Sequence, residues 1–143
     1  MGYISDISGK LDVSYNEQTV KEYSEDLLAL ASSQGIKLPP LTNRTGLSKQ
    51  TIEILKNHDA SYWFQFDENY VDASYGESGK AYEFERELKE VLEIIEEDNC
   101  TANGILVRSG EEQGDMERFI VENNKIVRTE SARLLWPDGT EAV

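Results

Sequence analysis

The sequence predicts an α+β fold in which a mainly antiparallel sheet carries two amphipathic helices on one face. Residues 3–14 alternate with a period of two, residues 84–95 repeat apolar side chains at helical spacing, and short apolar runs flank a turn signal at Asn123-Asn124. The order is β-α-β-β-α-β-β-β, a split β-α-β arrangement extended by a C-terminal hairpin. Residues 1–143 show no internal repeat or Gly/Ser-rich linker and are expected to form a single domain.

The first strand and the first helix follow from apolar spacing. Alternate residues from Ile7 to Val13 share one parity, which indicates a half-buried strand. A helix is expected next, capped by Ser14 or Asn16 and ending near Gly35. Its apolar face is built from residues at steps of three and four: Val20, Tyr23, Leu27 and Leu30.

The middle of the chain is less regular. Residues 41–48 are rich in Thr, Asn, Gly and Ser, which is typical of a surface loop. Residues 51–55 alternate and favour a strand, although Ser48 can also cap a short helix reaching Asn57. The aromatic run 62–66, a turn at 67–69 and the run 70–74 predict a hairpin, or one strand with a bulge.

The second half begins with the clearest element, an amphipathic helix with a strongly negative outer face. Strands are then expected at residues 105–107, 119–121 and 126–127, with a Gly-bounded loop at 110–115. A final short strand is expected at 134–136, before a turn at Pro137-Asp138-Gly139. The apolar face of the helix consists of Phe84, Leu88, Val91, Leu92 and Ile95.

Charge limits the class of partner. The chain has 28 Asp and Glu residues against 14 Lys and Arg, a formal net charge of −14. Such a protein is repelled by phosphate, so we expect no direct binding to a nucleic-acid backbone or to an anionic membrane. We expect a basic or neutral partner instead. No apolar stretch approaches the roughly 20 residues of a membrane span, and the start of the chain lacks a basic, apolar leader pattern. The prediction is a cytoplasmic protein.

Residue types also limit the chemistry. His58 and Cys100 are the one histidine and the one cysteine, which is too few ligands for a structural zinc site within one chain. A buried free thiol is expected at Cys100. No Gly-x-Ser-x-Gly elbow or phosphate-binding loop is present. The sequence therefore predicts no catalytic residues, no metal and no cofactor.

Clustered acids are the one feature that suggests a site. Along the acidic helix, glutamates follow one stripe at steps of 4, 3, 3 and 4, and the 110–115 loop adds further carboxylates. If these faces adjoin, they can steer and hold a basic protein, or imitate the phosphates that a DNA-binding protein expects. The alternative is a solvated face that keeps the protein soluble. The candidate partner-binding residues are Glu83, Glu87, Glu90, Glu93, Glu97, Glu111, Glu112 and Asp115.

Two other functions remain open from the sequence. One is a structural or homo-oligomeric domain, since the oligomeric state is not indicated. The other is a metal-dependent hydrolase at Glu111, Glu112 and Asp115, because carboxylates are ligands for Mg²⁺ and Ca²⁺. Trp63 and Trp136 both lie in strand-like runs and are expected to pack in the core or on a sheet face.

Several short motifs resemble a small, functionally uncharacterised protein family of actinobacteria and their phages. They are Met1-Gly2-Tyr3, Lys80-Ala81-Tyr82, the run from Gly110 to Arg118, and Leu135-Trp136-Pro137-Asp138-Gly139. The resemblance covers about half of the chain and supplies no catalytic residues. It implies a phage or mobile-element context. Together with the charge, it predicts a small acidic accessory protein that binds and modulates or inhibits a host protein with a basic surface.

Overall fold

The computed structural model describes residues 3–17, 22–39, 43–73, 78–133 and 135–142. Within these residues the α+β class is confirmed, because three helices accompany one six-stranded sheet whose neighbouring strands are all antiparallel. Expectations for Val20, Leu41, Thr42, Ser74 and Leu134 lie outside the described residues. The helices are α1 (Glu25–Gln34), α2 (Lys49–Lys56) and α3 (Phe84–Glu97), and the strands are β1 (Ser5–Tyr15), β2 (Gln65–Asp67), β3 (Tyr70–Asp72), β4 (Cys100–Gly110), β5 (Met116–Glu122) and β6 (Lys125–Ser131).

The sheet has the strand order β2-β3-β1-β4-β5-β6 and is built around its longest pair. β1 and β4 pair over 11 residues each, from Ser5 opposite Gly110 to Tyr15 opposite Cys100. At the centre of this pair Gly9 has a φ of +105°, and a Cβ there would collide with the carbonyl oxygen of Ile105. A glycine is therefore required at this position of the pair.

The core lies between one face of the sheet and the helices α2 and α3. α3 buries the five residues that its spacing predicts, from Phe84 to Ile95, so this prediction is confirmed. The Phe84 ring packs against Phe119 of β5, with 5.3 Å between ring centroids, and against Trp63 at 5.9 Å. Buried Trp63 thus confirms the expectation of core packing, and Cys100 is a buried free thiol as predicted.

The strand favoured for residues 51–55 is wrong, because these residues belong to α2. The Ser48 side chain caps this helix by accepting a hydrogen bond from the Thr51 amide at 3.2 Å. Thr51 and Leu55, one helical turn apart, are its buried residues. A run of five residues is too short to distinguish the period of a strand from that of a helix. Here the Ser48 cap selects the helix, which is the alternative that the sequence leaves open.

α1 begins later than expected, because β1 continues through Ser14 to Tyr15. The observed cap is Ser24, whose hydroxyl accepts from the Leu27 amide at 3.3 Å, whereas the end of the helix at Gly35 is as predicted. All of α1 is described and only Ala31 is buried. Its leucines are 40–53% exposed, so α2 packs beside α3 in the place where the sequence predicts α1.

The C-terminal segment also differs from the prediction. The turn at Asn123-Asn124 is confirmed, with φ values of +51° and +66°. The final strand is wrong for its described residues: Leu135 forms an isolated bridge with Glu141, since the turn after Trp136 folds the segment back on itself. Trp136 is consequently 60% exposed, so the expected packing of this residue is also wrong.

Candidate functional site

The five glutamates of the predicted stripe on α3 have different surroundings. Glu87 and Glu90 lie beside the 3₁₀ turn Asp59–Tyr62 that packs against the helix. Glu90 contacts the His58 Nε2 atom at 2.9 Å, and Glu87 accepts a hydrogen bond from Trp63. Burial raises the pKa of Glu87 above its usual range. The exposed members of the stripe are Glu83, Glu93 and Glu97.

The 110–115 loop also divides its acids into two groups. Glu111 and Glu112 are exposed, whereas Asp115 turns toward the sheet. Arg108 donates to its Oδ1 atom at 2.9 Å and the Tyr3 hydroxyl donates to Oδ2. Gly110 makes this approach possible, because a Cβ there would meet both the Tyr3 hydroxyl and the Asp115 carboxylate. Asp115 therefore belongs to a side-chain cluster at one end of the sheet.

Arg108 is the centre of this cluster, and the strand register explains its position. It lies opposite Ile7 of β1 and Glu117 of β5, so it continues the row of β4 side chains that faces the helices. Its Nε atom donates to Glu117 at 2.6 Å and its Nη1 atom to the Ser5 hydroxyl at 3.2 Å. One guanidinium thus stands between two carboxylates, leaving a formal charge of −1.

The ion pairs shift the pKa values of both partners. The hydrogen bond to Asp115, followed by that to Glu117, raises the pKa of Arg108. Arg108 in turn lowers the pKa of Asp115, with a further contribution from Tyr3. The hydrogen bond to Asp115 also raises the pKa of Tyr3. At neutral pH Arg108 and Asp115 are therefore firmly ionised, and the Tyr3 hydroxyl keeps its proton.

Tyr82, just before α3, stands over an open cleft beside this cluster. Its hydroxyl accepts a hydrogen bond from the Tyr3 amide at 2.9 Å, while the side chain stays 70% exposed. Two cavities, of about 310 and 260 Å³, share Ala81, Tyr82 and Glu117 as lining residues. We call this joint space the cleft. Its other lining residues are Tyr3, Ser5, Phe84, Glu85, Arg108, Asp115, Phe119 and Thr129.

The cleft has an excess of negative charge. Glu117 and Asp115 share the single cation Arg108 among its lining residues, and Glu85 adds a further carboxylate. Glu83 adjoins Tyr82 in the chain, and Glu112 donates its amide to Tyr3 at 2.9 Å, so both lie near the rim. Arg86 pairs with Glu83 at 3.0 Å and offsets one of these charges. A guest in the cleft is therefore expected to be cationic.

The predicted candidates are thus only partly brought together. Glu83, Glu112 and Asp115, with Glu111 next in the chain, lie around the cleft, whereas Glu93 and Glu97 belong to the last turns of α3. Arg108, Glu117, Glu85 and Tyr82 are not among the site residues that the sequence predicts. A signal existed for Arg108, because it continues the alternation of inward-facing residues along β4. The roles of Tyr82 and Glu117 depend on long-range contacts.

A second cluster around Arg44 gives residues 43–48 a structural role. Arg44 donates to the carbonyl oxygens of Gly46 and Asp98, both at 2.9 Å, and pairs with the Asp98 carboxylate. Its guanidinium also lies 4.1 Å from the centroid of the Tyr15 ring. Asp98 accepts from the Ser48 amide at 2.8 Å, which ties this loop to the end of α3.

Other cavities have a smaller charge excess than the cleft. A cavity of about 340 Å³ beside β5 and β6 is lined by Glu117, Arg118 and Glu130, and the last two form an ion pair at 3.0 Å. Another, of about 450 Å³, is lined by one charged residue, Lys56, together with polar and aromatic side chains such as Gln65 and Phe64. The cleft is the better candidate for a charged guest.

In the part of the chain that the structure describes, no three His, Cys, Asp or Glu side chains are grouped as metal ligands. Among those same residues, no helix combines the length and apolar character needed to cross a bilayer. Finally, no protein-family model, curated protein or solved structure matches this chain.

Proposed function

We propose that this protein is a non-catalytic binding domain that holds a basic segment of another protein in the cleft. The observation that carries the proposal is the 70% exposed Tyr82 ring, which stands between two cavities that share Glu117. An aromatic face surrounded by carboxylates attracts lysine and arginine side chains through both the ring quadrupole and the net field. The remaining features of the cleft fit such a guest.

A lysine or arginine side chain has an apolar stem and a charged end, and the cleft offers both environments. Ala81 and Phe119 provide apolar lining for the stem. Glu85 and Glu117 provide carboxylates for the charged end. Arg108 does not cancel this attraction, because Asp115 and Glu117 together outweigh its charge.

The rest of the molecule favours encounter with such a partner. A net charge of −14 steers basic surfaces toward the protein from a distance and repels phosphate-rich ones. Exposed Glu93 and Glu97 contribute to this field without lining the cleft. In the phage setting that the sequence resemblance implies, the partner is a host protein, and binding modulates or inhibits it by covering a basic site.

The experiment compares two double variants that remove the same charge. Fluorescence anisotropy is measured with a labelled dodecapeptide of three Gly-Lys-Ser-Arg repeats. Glu85→Gln with Glu117→Gln alters the cleft, and Glu93→Gln with Glu97→Gln alters the far end of α3. Each pair reduces the net charge of −14 by two, so diffuse attraction changes equally. We expect about tenfold weaker binding for the cleft pair and less than about twofold for the other pair.

A third variant tests the aromatic contribution. Tyr82→Leu keeps an apolar side chain but removes the π face, and we expect about threefold weaker binding. Equal weakening by the two glutamine pairs would show that the peptide senses only overall charge, and the proposal would fail. The same conclusion follows if the wild-type protein binds the peptide no better than a matched peptide with Lys and Arg replaced by Glu.

A further inference from the structure

The last strand, β6, forms an open edge of the sheet. It pairs with β5 on one side, and β5 is its one neighbour among the described strands. The Ala132 amide donates to the Met116 carbonyl at 2.9 Å, which fixes the phase of the ladder. In an antiparallel pair the backbone groups alternate in direction, so those of Arg128 and Glu130 point toward β5. Those of Thr129 and Ser131 consequently point away from the sheet, whereas Val127 lies at the register shift beside Ile120 and has no partner in the β5–β6 register.

These outward groups permit β6 to pair with β6 of a second copy about a twofold axis. Antiparallel self-pairing that uses them is centred on Thr129 or Ser131, and a pairing centred on Val127 would use the residue at the register shift instead. The three registers bring different side chains opposite each other. The charges of Arg128 and Glu130 distinguish them.

Only the central register is complementary in charge. When Thr129 faces Thr129 of the second copy, Arg128 faces Glu130 of that copy, and the symmetry repeats the pair. Centred on Val127, Arg128 would face Ile126 instead. Centred on Ser131, Glu130 would face Ala132. The sequence of β6 is thus self-complementary in one register.

We propose that two copies of this chain pair antiparallel through β6, centred on Thr129, and form one continuous sheet. Thr129 then exchanges backbone hydrogen bonds with Thr129 of the second copy, and Ser131 faces Val127 at each end of the paired stretch. On the surface of the single chain Arg128 pairs with Glu130 at 2.7 Å and Glu130 also pairs with Arg118 at 3.0 Å, so in the dimer Arg128 and Glu130 exchange these contacts for the cross-strand pairs. The assembly is a closed twofold dimer.

Features that usually protect an edge strand are compatible with this register. Charged side chains and bulges oppose unwanted pairing. Here the charges at Arg128 and Glu130 become attractive, and the irregularity at Ile120/Val121 lies toward one end of the paired stretch. Lys125 would face Arg133, but Arg133 keeps its own partner Glu141 at 3.1 Å.

The dimer proposal is independent of the binding proposal. It rests on β6 and would stand if the cleft bound nothing. Thr129 nevertheless lines the cleft, so the register would place the clefts of the two copies on either side of the twofold axis. A partner with two basic segments would then meet two sites.

Charge reversal tests the register directly. Sedimentation equilibrium of the full chain at about 150 mM salt is expected to give twice the 16.2 kDa chain mass. Arg128→Glu and Glu130→Arg each place like charges opposite each other and should give monomers. The double variant restores opposite charges and should dimerise. An equimolar mixture of the two single variants should form heterodimers, detected by native mass spectrometry with one variant isotopically labelled.

A backbone variant tests the edge itself. Thr129→Pro removes an outward amide while leaving the β5–β6 ladder intact, and should give a monomer; Thr129→Val is the matched control and should dimerise. Circular dichroism verifies that each variant is folded. A wild-type monomer at about 200 µM, a dimer that survives Thr129→Pro and the single charge reversals, or monomeric singles that fail to form heterodimers would each overturn the proposal.

Discussion

The two arginine clusters at Arg44 and Arg108 use the same chemistry with different outcomes. Each arginine ties a loop to the sheet through carboxylates and neighbouring polar groups. Arg44 meets one carboxylate, Asp98, whose side chain is 12% exposed, and packs on an aromatic ring. Arg108 meets two carboxylates, and Asp115 remains 34% exposed at the cleft. The Arg44 cluster is balanced in charge and largely buried, so it stabilises the fold. The Arg108 cluster has an excess of negative charge and is partly exposed, so it can also bind a cationic guest.

The largest expected effect comes from breaking the closed cluster. Arg44→Ala leaves the Asp98 carboxylate without its cation and removes the contact with the Tyr15 ring. We expect a loss of about 2–3 kcal/mol in the free energy of unfolding, measured by urea denaturation. Arg44→Lys keeps the charge but cannot reproduce the contacts of the planar fork, so its loss should be smaller. A loss below about 0.5 kcal/mol for Arg44→Ala would show that this cluster does not stabilise the fold as its contacts suggest.

The open cluster should respond less, and its response should depend on pH. Asp115→Asn keeps the shape of the side chain but removes the charge that pairs with Arg108. Because Arg108 lowers the pKa of Asp115, the ionised carboxylate stabilises the folded protein. This stabilisation is complete above the ordinary pKa of 3.8 and is lost as the pH falls through the lowered value.

The measurement is the urea midpoint of wild type and Asp115→Asn between pH 7 and pH 2. We expect the wild type to have the higher midpoint at pH 7 and the difference to vanish toward pH 2. Hydrogen exchange at the Glu112 amide, which donates to Tyr3, should be faster in the variant. A pH-independent difference would mean that packing, and not charge, explains the effect.

How much of this could be predicted from the sequence depends on the range of the interactions involved. The buried face of α3 and the turn at Asn123-Asn124 follow from local periodicity and turn chemistry, and both are confirmed. The alternation of residues 51–55 predicts a strand, whereas Ser48, which caps α2 instead, is held by a distant residue, Asp98. Local patterns do not contain such a contact.

The same limit applies to the cleft. Charge density alone singled out Asp115 and its neighbours in the loop, but the cluster exists because Tyr3 reaches across 112 positions of sequence to Asp115. Strand pairing then adds Glu117 opposite Arg108. Sequence reasoning therefore found acids near the cleft without finding the residues that shape it. It also grouped Glu87 with the exposed glutamates of the stripe, although this carboxylate is half-buried.

Glu87 provides the smallest and most discriminating comparison. Burial raises its pKa above the usual 4.5, so ionisation costs the folded protein some stability as the pH rises from 4.5 through the raised value. Glu87→Gln removes this cost and keeps an oxygen that can accept the Trp63 hydrogen bond. At pH 7 we expect the variant to be more stable by a few tenths of a kcal/mol, because partial exposure weakens the effect. The gain should disappear below pH 4, where Glu87 is protonated in both states.

Glu93→Gln, on the exposed part of the same helix, is the matched control in thermal unfolding. An equal gain in both variants would mean that relief of the general negative charge, and not burial beside Trp63, stabilises the protein.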